Sequence, residues 1–340
     1  MLQLLLGGSG SGKTTLLYQR IRARAEKGEK SILLVPEQFT SSTEGRIYRE
    51  LGDALSGMVE SFSFTSLAEK ILSTEGGAAV QTLSDAGRAV LVRRALEELQ
   101  DNVHYYHRHR RSAAFCQMAA QTIDELKSAG LSGQQLAQLA GACGAESGKL
   151  SELALIFQGY ETLLARSGMD PSDRLELAGA RLEEALARHS LPEFLRNRAV
   201  FIDEFDTFNA PKKRLLGALL AALPSVTVAL CDDGAPLPPG DLSLFSGAKQ
   251  VAAQLRQLAR KNGAEVAVPQ LLRKDLRHRN APGLAAVTEL LETGSCTADA
   301  PAGEVRLFAA PSREEEARAA AGAIRRLMRQ GVRCGKIAVV

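Results

Sequence analysis

The stretch Gly7-Gly-Ser-Gly-Ser-Gly-Lys-Thr-Thr15 decides the fold of this chain. It matches G-x-x-x-x-G-K-[ST], a pattern in which glycines let backbone amides curve around a phosphate group. The apolar run Leu2–Leu6 precedes it, and an amphipathic segment, Lys13–Lys27, follows it. A buried strand, a glycine loop and a helix in this order are the context in which the pattern binds nucleotide phosphates. This context argues against a chance glycine-rich turn and predicts a P-loop domain.

The chemistry of the loop predicts a role for each of its polar residues. Lys13 is expected to reach the β- and γ-phosphates of ATP, and the Thr14 hydroxyl is expected to bind Mg²⁺. The remaining residues supply backbone amides or flank the phosphates. The predicted nucleotide-binding residues are Gly7, Gly8, Ser9, Gly10, Ser11, Gly12, Lys13, Thr14 and Thr15.

Two carboxylates follow a second apolar run far downstream. Ala199–Ile202 leads directly into Asp203 and Glu204, the arrangement in which the first acid holds Mg²⁺ and the second orients or deprotonates water. Asp203 is therefore a predicted metal ligand. Glu204 and Lys13 are the predicted catalytic residues. A strand that merely ends in solvated acids is the alternative. An intact Asp-Glu pair favours hydrolysis over nucleotide binding alone.

The order of apolar patterns predicts an α/β fold that is split by a helical region. Strand and helix patterns alternate over residues 1–65 and return over 197–292, including a short strand at Val266–Val268, whereas 66–196 shows helical patterns alone. We expect 1–65 and 197–292 to form one RecA-like P-loop domain with a parallel sheet. Residues 66–196 form an all-helical insertion in this prediction.

Residues 293–340 read as a linker and the beginning of a second α/β domain. Strands are predicted at Val305–Phe308 and Lys336–Val340, on either side of a helix at Arg313–Gln330. A unit of this length cannot bury enough surface to be stable alone. We therefore expect the chain to be the front part of a longer protein.

Composition narrows the class of protein. The chain has 340 residues, 42 Lys+Arg against 39 Asp+Glu and a net charge of +3, so any grip on DNA must be local. It lacks a signal peptide and a run of about 20 apolar residues, which predicts a cytoplasmic protein without a membrane partner. The cysteines are scattered without C-x-x-C spacing, so neither a zinc nor a cluster site is predicted. They are Cys116, Cys143, Cys231, Cys296 and Cys334.

A basic and aromatic cluster in the helical region is the main candidate for DNA contact. His104-Tyr-Tyr-His-Arg-His-Arg-Arg111 combines cations, which neutralise phosphates, with rings on which bases stack. The alternative is a solvated turn at a helix start, and the basic stretch Arg273–Arg279 is equally ambiguous. The predicted contacts in this cluster are Tyr105, Tyr106, Arg108, Arg110 and Arg111.

Four segments together resemble one known family. The P-loop, Leu33-Leu-Val-Pro-Glu-Gln-Phe-Thr40, Ser61–Leu67 and Ile202–Phe208 are similar to the front of a superfamily-one (UvrD-like) helicase motor. The closest likeness is the B subunit of the AddAB (RexAB) helicase–nuclease. Gln38 occupies the position of the family's motif Ia. On pattern alone it could be a polar residue where a strand exits into a loop, but the resemblance favours a place at the nucleotide and DNA cleft. Ser312–Glu316 and Lys336–Val340 resemble the start of the second motor domain.

The resemblance implies an activity and partners. Members of this family bind ATP and Mg²⁺ and act on DNA ends in double-strand break repair by homologous recombination, as heterodimers with an AddA-type helicase–nuclease subunit. The AddB-type subunit largely scans single-stranded DNA rather than unwinding strongly. Its nuclease domain, with an iron–sulfur cluster, lies in a C-terminal part beyond this chain.

Departures from the helicase pattern leave alternatives open. No adenine-reading Gln precedes the P-loop, Cys231-Asp-Asp-Gly follows the strand Val226–Leu230 where a Gln-Ser pair is expected, and no arginine finger can be assigned. A non-hydrolysing DNA-recognition scaffold with a vestigial ATP site is therefore the second hypothesis. A small-molecule P-loop kinase is the third, but it requires a lid arginine cluster and an early substrate pocket that the sequence does not show.

Overall fold

The computed structural model describes residues 1–77, 79, 81–144, 147–295 and 304–340. Two compact units are present, one formed by Met1–Arg277 and the other by His278–Val340. This division lies upstream of the linker expected at residue 293.

The first unit is built on a six-stranded, all-parallel sheet, which confirms the α/β prediction. The strand order is β3-β2-β4-β5-β1-β6, so strands from before and after the helical region join one sheet. Most strand residues are buried because helices cover both faces. The strands are β1 Leu2–Gly7, β2 Ser31–Leu34, β3 Val59–Phe62, β4 Ala199–Ile202, β5 Ser225–Cys231 and β6 Gln270–Leu272.

Some helices of this unit cover the two faces of the sheet, and others form a separate core. They are α1 Lys13–Ala25, α2 Thr40–Leu51, α3 Asp53–Ser56, α4 Phe64–Glu75, α5 Asp85–Glu98, α6 Ala113–Ser128, α7 Gly133–Ala140, α8 Ser147–Ser167, α9 Pro171–Ala187, α10 Ala210–Ala222 and α11 Ser246–Lys261. One face packs against α1 and α2 through residues such as Ile21 and Ile47. The other packs against α4, α9, α10 and α11 through residues such as Leu67, Leu182 and Leu219.

The helices predicted between residues 66 and 196 are confirmed, but their buried side chains belong to two separate hydrophobic cores. Side chains of α5, α6, α7 and α8, among them Phe157 and Tyr160, form a core of their own, whereas α4 and α9 belong to the sheet's core. Local sequence explains where three of these helices start. Ser84, Ser112 and Ser132 each accept a hydrogen bond from the backbone N–H three residues ahead, as helix-capping serines do.

The last strand of the sheet differs from its prediction. The segment Val266–Val268 is not a strand; Val266 forms only an isolated bridge with Leu2, and Val268 is 86% exposed. The strand lies instead at Gln270–Leu272, paired with Leu5–Gly7 of β1. A three-residue apolar run did not indicate which residues would meet β1, because pairing register depends on the neighbouring strand.

The second unit contains α12 Pro282–Thr293 and α13 Arg313–Arg329, the latter confirming the predicted helix. The strands predicted at Val305–Phe308 and Lys336–Val340 are wrong. Among the described residues of this unit, neither segment pairs with a neighbour, and Cys334–Lys336 forms a 3₁₀ turn. An apolar run becomes a strand only when another strand satisfies its backbone N–H and C=O groups.

Candidate nucleotide-binding site

The P-loop connects β1 to α1 at the carboxyl edge of the sheet, where parallel α/β sheets bind their ligands. Gly10 and Gly12 have φ angles of 78° and 90°, in the left-handed region that favours glycine. Gly7 is needed for a different reason. A Cβ atom there would lie 2.5 Å from the Ser11 hydroxyl oxygen and 2.6 Å from the carbonyl oxygen of Leu272. The glycines of the motif therefore meet local steric requirements.

Lys13 lies over this loop. Its Nζ donates hydrogen bonds to the carbonyl oxygens of Gly7, at 2.8 Å, and Gly8, at 2.9 Å. Lys13, Thr14, Thr15 and Glu204 line a cavity of about 410 Å³. Of the predicted nucleotide-binding set, Gly7, Gly8 and Ser11 are not among the residues that line this cavity. The other six line it together with the predicted catalytic carboxylate; they are Ser9, Gly10, Gly12, Lys13, Thr14 and Thr15.

Asp203 is buried beside Thr14. Its backbone N–H donates to the carbonyl oxygen of Leu34 at 3.1 Å, which holds it at the sheet edge. Its carboxylate hydrogen-bonds with the Thr14 side chain and accepts from the backbone N–H of Glu204 at 3.0 Å. Burial raises the pKa of Asp203, and these hydrogen bonds oppose the rise only in part. A hydroxyl and a carboxylate oxygen are ligands that Mg²⁺ prefers, so the pair fits the predicted role.

Glu204 reaches the cavity through an unusual backbone. Its φ angle of 65° is rare for a residue other than glycine, and such conformations concentrate at functional sites. Burial raises the pKa of its carboxyl group, and the nearby charge of Asp203 raises it further. Glu204 lines the same cavity as Lys13 and Thr14.

The burial of Asp203 predicts a pH-dependent gain in stability for the variant Asp203→Asn. An acid whose pKa is raised by folding disfavours the folded state above the unfolded-state pKa, because the unfolded chain ionises first. At pH 7 the variant should melt higher than the wild type, by about 2 °C, and near pH 3 the difference should vanish. Thermal denaturation at both pH values tests this. The exposed Asp206→Asn should melt like the wild type; an advantage of Asp203→Asn that persists at pH 3 would contradict the explanation.

Two residues near the cavity come from the basic stretch at 273–279, which the sequence left ambiguous. The backbone N–H of Leu276 donates to the carbonyl oxygen of Gly10 at 3.0 Å, and the Arg277 guanidinium donates to the Ser9 hydroxyl at 3.2 Å. Both residues line the cavity. The pairing of β6 with β1 explains this, because chain segments that follow neighbouring parallel strands emerge side by side. Nothing in the local sequence distinguishes Arg277 from the other cations of the stretch.

Gln38 lies at the same edge of the sheet, in an exposed 3₁₀ turn at Glu37–Phe39. The Thr65 hydroxyl donates to the Glu37 carboxylate at 2.8 Å. Burial alone would raise the pKa of Glu37, but backbone amides and Thr65 bind the charged form and leave it below its usual value. The turn is therefore held in place while the Gln38 side chain stays accessible.

The basic cluster at 104–111 belongs to the α5–α8 core rather than to the sheet edge. Glu152 of α8 is 7% exposed and accepts hydrogen bonds from three consecutive backbone N–H groups, at His104, Tyr105 and Tyr106. Tyr106 stacks on Phe115 at 5.3 Å between ring centroids, so its ring packs within the protein. The accessible side chains of the predicted set are those of Tyr105, Arg108 and Arg111, with Arg110 half-buried against His107.

The described residues offer no protein-only metal cage. They contain no group of three or more His, Cys, Asp and Glu side chains that could hold a metal ion. Mg²⁺ at Thr14 and Asp203 would therefore need phosphate oxygens as further ligands. Cys116 is buried, whereas Cys143, Cys231 and Cys334 are exposed; Cys296 lies outside the described residues. Among the same residues, no helix is long and apolar enough to cross a membrane.

Comparison with known proteins places these features in a family. The family described as "ADDB, N-terminal" matches residues 4–288. A protein from Desulforudis audaxviator, named as the B subunit of an ATP-dependent helicase/deoxyribonuclease, is 34% identical over 97% of this chain and 29% of its own length. Proteins of the same name from Symbiobacterium thermophilum and Moorella thermoacetica are 33% and 32% identical, over 100% and 97% of this chain and 30% and 29% of theirs.

The matches cover nearly all of this chain but only part of each relative. The chain spans about three tenths of the length of these curated relatives. The family match covers both the P-loop and the Asp203-Glu204 pair, together with the helical region between them. The chain therefore belongs to the AddB N-terminal family.

Proposed function

We propose that this chain is the ATP- and DNA-binding front part of an AddB-type subunit. In this proposal the AddB-type protein works with an AddA-type partner on DNA ends, in double-strand break repair by homologous recombination. It scans single-stranded DNA rather than unwinding strongly. The observation that carries the proposal is the assembly of Lys13, Thr14, Asp203 and Glu204 at one edge of a parallel sheet, in a chain of this family.

The proposed chemistry follows from the geometry of the cavity. Lys13 would exchange its carbonyl partners in the loop for the β- and γ-phosphates. Thr14 and Asp203 would hold Mg²⁺, which neutralises phosphate charge when bound. Glu204, at the wall of the same cavity, would orient the attacking water and accept its proton. The raised pKa of Glu204 suits a group that must take up a proton.

The proposed DNA contacts lie in two places. Gln38 stands exposed at the sheet edge, and Tyr105, Arg108, Arg110 and Arg111 stand on the loop anchored by Glu152. Tyr106 contributes packing, through Phe115, that fixes the shape of this loop. A preformed loop with accessible cations and an exposed tyrosine ring is suited to a phosphate backbone with unpaired bases.

The proposed domain assignment follows the same family. Residues 1–65 and 197–292 form the first motor domain, 66–196 the insertion, and 293–340 the linker and beginning of the second motor domain. A nuclease domain and its iron–sulfur cluster are assigned to a C-terminal part outside this chain, and the location is the cytoplasm.

One observation favours the second candidate, a non-hydrolysing scaffold. The loop that follows β5 lacks the Gln-Ser pair of active motors and is fixed by Lys249, whose Nζ lies 3.2 Å from the Asp233 carboxylate and 3.5 Å from that of Asp241. Lys249 is 6% exposed and the Asp241 side chain 11%, so this ion pair is largely shielded from solvent, whereas the Asp233 side chain is 37% exposed. A loop held in this way is poorly suited to respond to nucleotide.

A DNA titration tests the proposed function. Replacing Arg108, Arg110 and Arg111 together with alanine should weaken binding of a fluorescent single-stranded oligonucleotide by about tenfold or more at low salt. Because each phosphate contact releases counterions, the slope of log K against log salt should also become shallower by up to about 2 for single-stranded DNA. The titration is made at several salt concentrations, with and without Mg·ATPγS.

A charge-matched variant controls for net charge. Arg22, Arg93 and Arg94 are more than half exposed, and each pairs with a carboxylate one helical turn away. Their triple alanine variant removes the same charge at little cost in stability and should bind DNA like the wild type. Equal losses in the two triple variants would contradict a local DNA site on the 104–111 loop.

A further inference from the structure

Arg46 is a cation in the nucleotide cavity that no sequence motif indicated. It lies on α2, the helix that follows the Glu37–Phe39 turn, and it lines the same cavity as Lys13, Thr14 and Glu204. Its guanidinium carbon lies 4.9 Å from the centroid of the Tyr18 ring, which is 5% exposed. Packing on a buried ring fixes the guanidinium and leaves its N–H groups available.

The charge of Arg46 acts on the catalytic carboxylates without pairing with either. Burial raises the pKa values of Asp203 and Glu204, and the positive charge of Arg46 opposes the rise in both. Burial likewise raises the pKa of Tyr18 to about 12, against the effect of Arg46. Within the part of the chain that the structure describes, no carboxylate oxygen lies within 4 Å of the Arg46 guanidinium. The arginine is thus a half-buried cation in the cavity where a γ-phosphate would lie.

The helix that carries Arg46 also carries the candidate DNA segment. Thr40, its first residue, donates from its hydroxyl to the Glu37 carbonyl oxygen at 2.9 Å, which ties α2 to the turn that contains Gln38. Arg46 follows Gln38 by about two helical turns. A neighbouring face of α2 packs into the core through Ile47 and Leu51. A displacement of Arg46 would therefore be transmitted along a helix to the Gln38 turn.

We propose that Arg46 binds the γ-phosphate of a nucleoside triphosphate and, through α2, couples nucleotide occupancy to single-stranded DNA binding at the Gln38 turn. This inference rests on the proposed function. It assigns to α2 a coupling role that the loop after β5 cannot perform, because that loop lacks the Gln-Ser pair and is fixed by Lys249. Arg46 is a ligand of the phosphate and a positioning residue for DNA.

The test is a thermodynamic cycle on the full chain. The affinity for a fluorescent single-stranded oligonucleotide is measured without nucleotide, with Mg·ADP and with Mg·ATPγS, for the wild type and for Arg46→Met, which keeps an unbranched side chain without charge. In the wild type, ATPγS and ADP should give DNA affinities that differ by about fivefold or more. In Arg46→Met this difference should fall below about twofold, and ATPγS should bind about tenfold more weakly while ADP affinity is little changed.

Two further variants serve as controls for the loss of the Arg46 charge. Arg49→Met removes a cation from the exposed side of the same helix and should behave like the wild type, and Arg46→Lys should restore part of the difference between ATPγS and ADP. Thermal denaturation shows whether each variant is folded, and Arg46→Lys keeps the test decisive if Arg46→Met is not. The inference is overturned if the wild type binds ATPγS and DNA but shows the same DNA affinity with ATPγS as with ADP. It is also overturned if Arg46→Met keeps the wild-type difference between these two affinities. A wild type that binds neither ATPγS nor DNA would instead overturn the proposed function itself.

Discussion

Lys13→Ala is expected to weaken Mg·ATPγS binding by about 100-fold, with little change in the melting temperature of the nucleotide-free protein. The ammonium group is the charged donor of the loop, and charge-assisted hydrogen bonds to phosphate contribute about 1.5–3 kcal/mol. In the nucleotide-free chain the same group donates to the Gly7 and Gly8 carbonyl oxygens of a loop at the cavity surface, so its removal should cost the fold little. Calorimetric titration and the ligand-induced shift in melting temperature measure the two effects.

The matched control is Lys27→Ala, which removes an exposed lysine just beyond the end of α1. It should bind ATPγS like the wild type. An affinity for ATPγS within about threefold of wild type in Lys13→Ala would remove the basis for a P-loop nucleotide site.

The same variant separates the two candidate functions. DNA-stimulated phosphate release by the wild type that disappears in Lys13→Ala supports a protein that hydrolyses ATP. Absence of turnover in the wild type, with DNA affinity unaffected by Lys13→Ala, supports the scaffold. Glu204→Gln refines the first outcome, because it should abolish hydrolysis while ATPγS still binds.

Asp170→Ala should destabilise the helical region by about 3–5 kcal/mol. Asp170 is 1% exposed, accepts from the Tyr160 hydroxyl at 2.6 Å and pairs with the Lys127 ammonium group at 2.8 Å. It also begins α9 as the first partner of a capping box with Asp173. Alanine would leave a buried hydroxyl and a largely buried ammonium group with fewer acceptors, and it would remove a helix cap. Urea denaturation followed by circular dichroism measures the loss.

Two comparisons make this result specific. Asp85→Ala removes an aspartate whose side chain is 95% exposed and pairs with Arg88, and it should cost no more than about 1 kcal/mol. The double variant Lys127→Met/Asp170→Ala should be less destabilised than Asp170→Ala alone, because it removes an ammonium group that has lost its buried acceptor and keeps the partly exposed Asp173. A double variant as unstable as the sum of the two single variants would contradict coupling between Lys127 and Asp170.

Much of the candidate nucleotide site could be predicted because its parts are encoded over short distances. The glycines between β1 and α1, the lysine that follows them and the acids after β4 are each fixed by their own strand and turn. The same is true of the serines that begin α5, α6 and α7. Such features depend on backbone conformations available to a few residues, and neighbouring residue types reveal them.

What the tertiary structure alone decided was which distant side chains meet. Arg46 and Arg277 reach the cavity because α2 packs beside α1 and because β6 pairs with β1, and neither fact has a local signature. The stacking of the Tyr106 ring on Phe115 likewise depends on packing between separate segments of the chain. The segments at 305–308 and 336–340 have strand-like sequences but no strand beside them among the described residues. The sequence by itself was enough to predict the glycine loop, the two acids and the family, because each is recognised from the spacing of nearby residues. Which elements lie next to one another depends on helix packing and on the order of strands in the sheet.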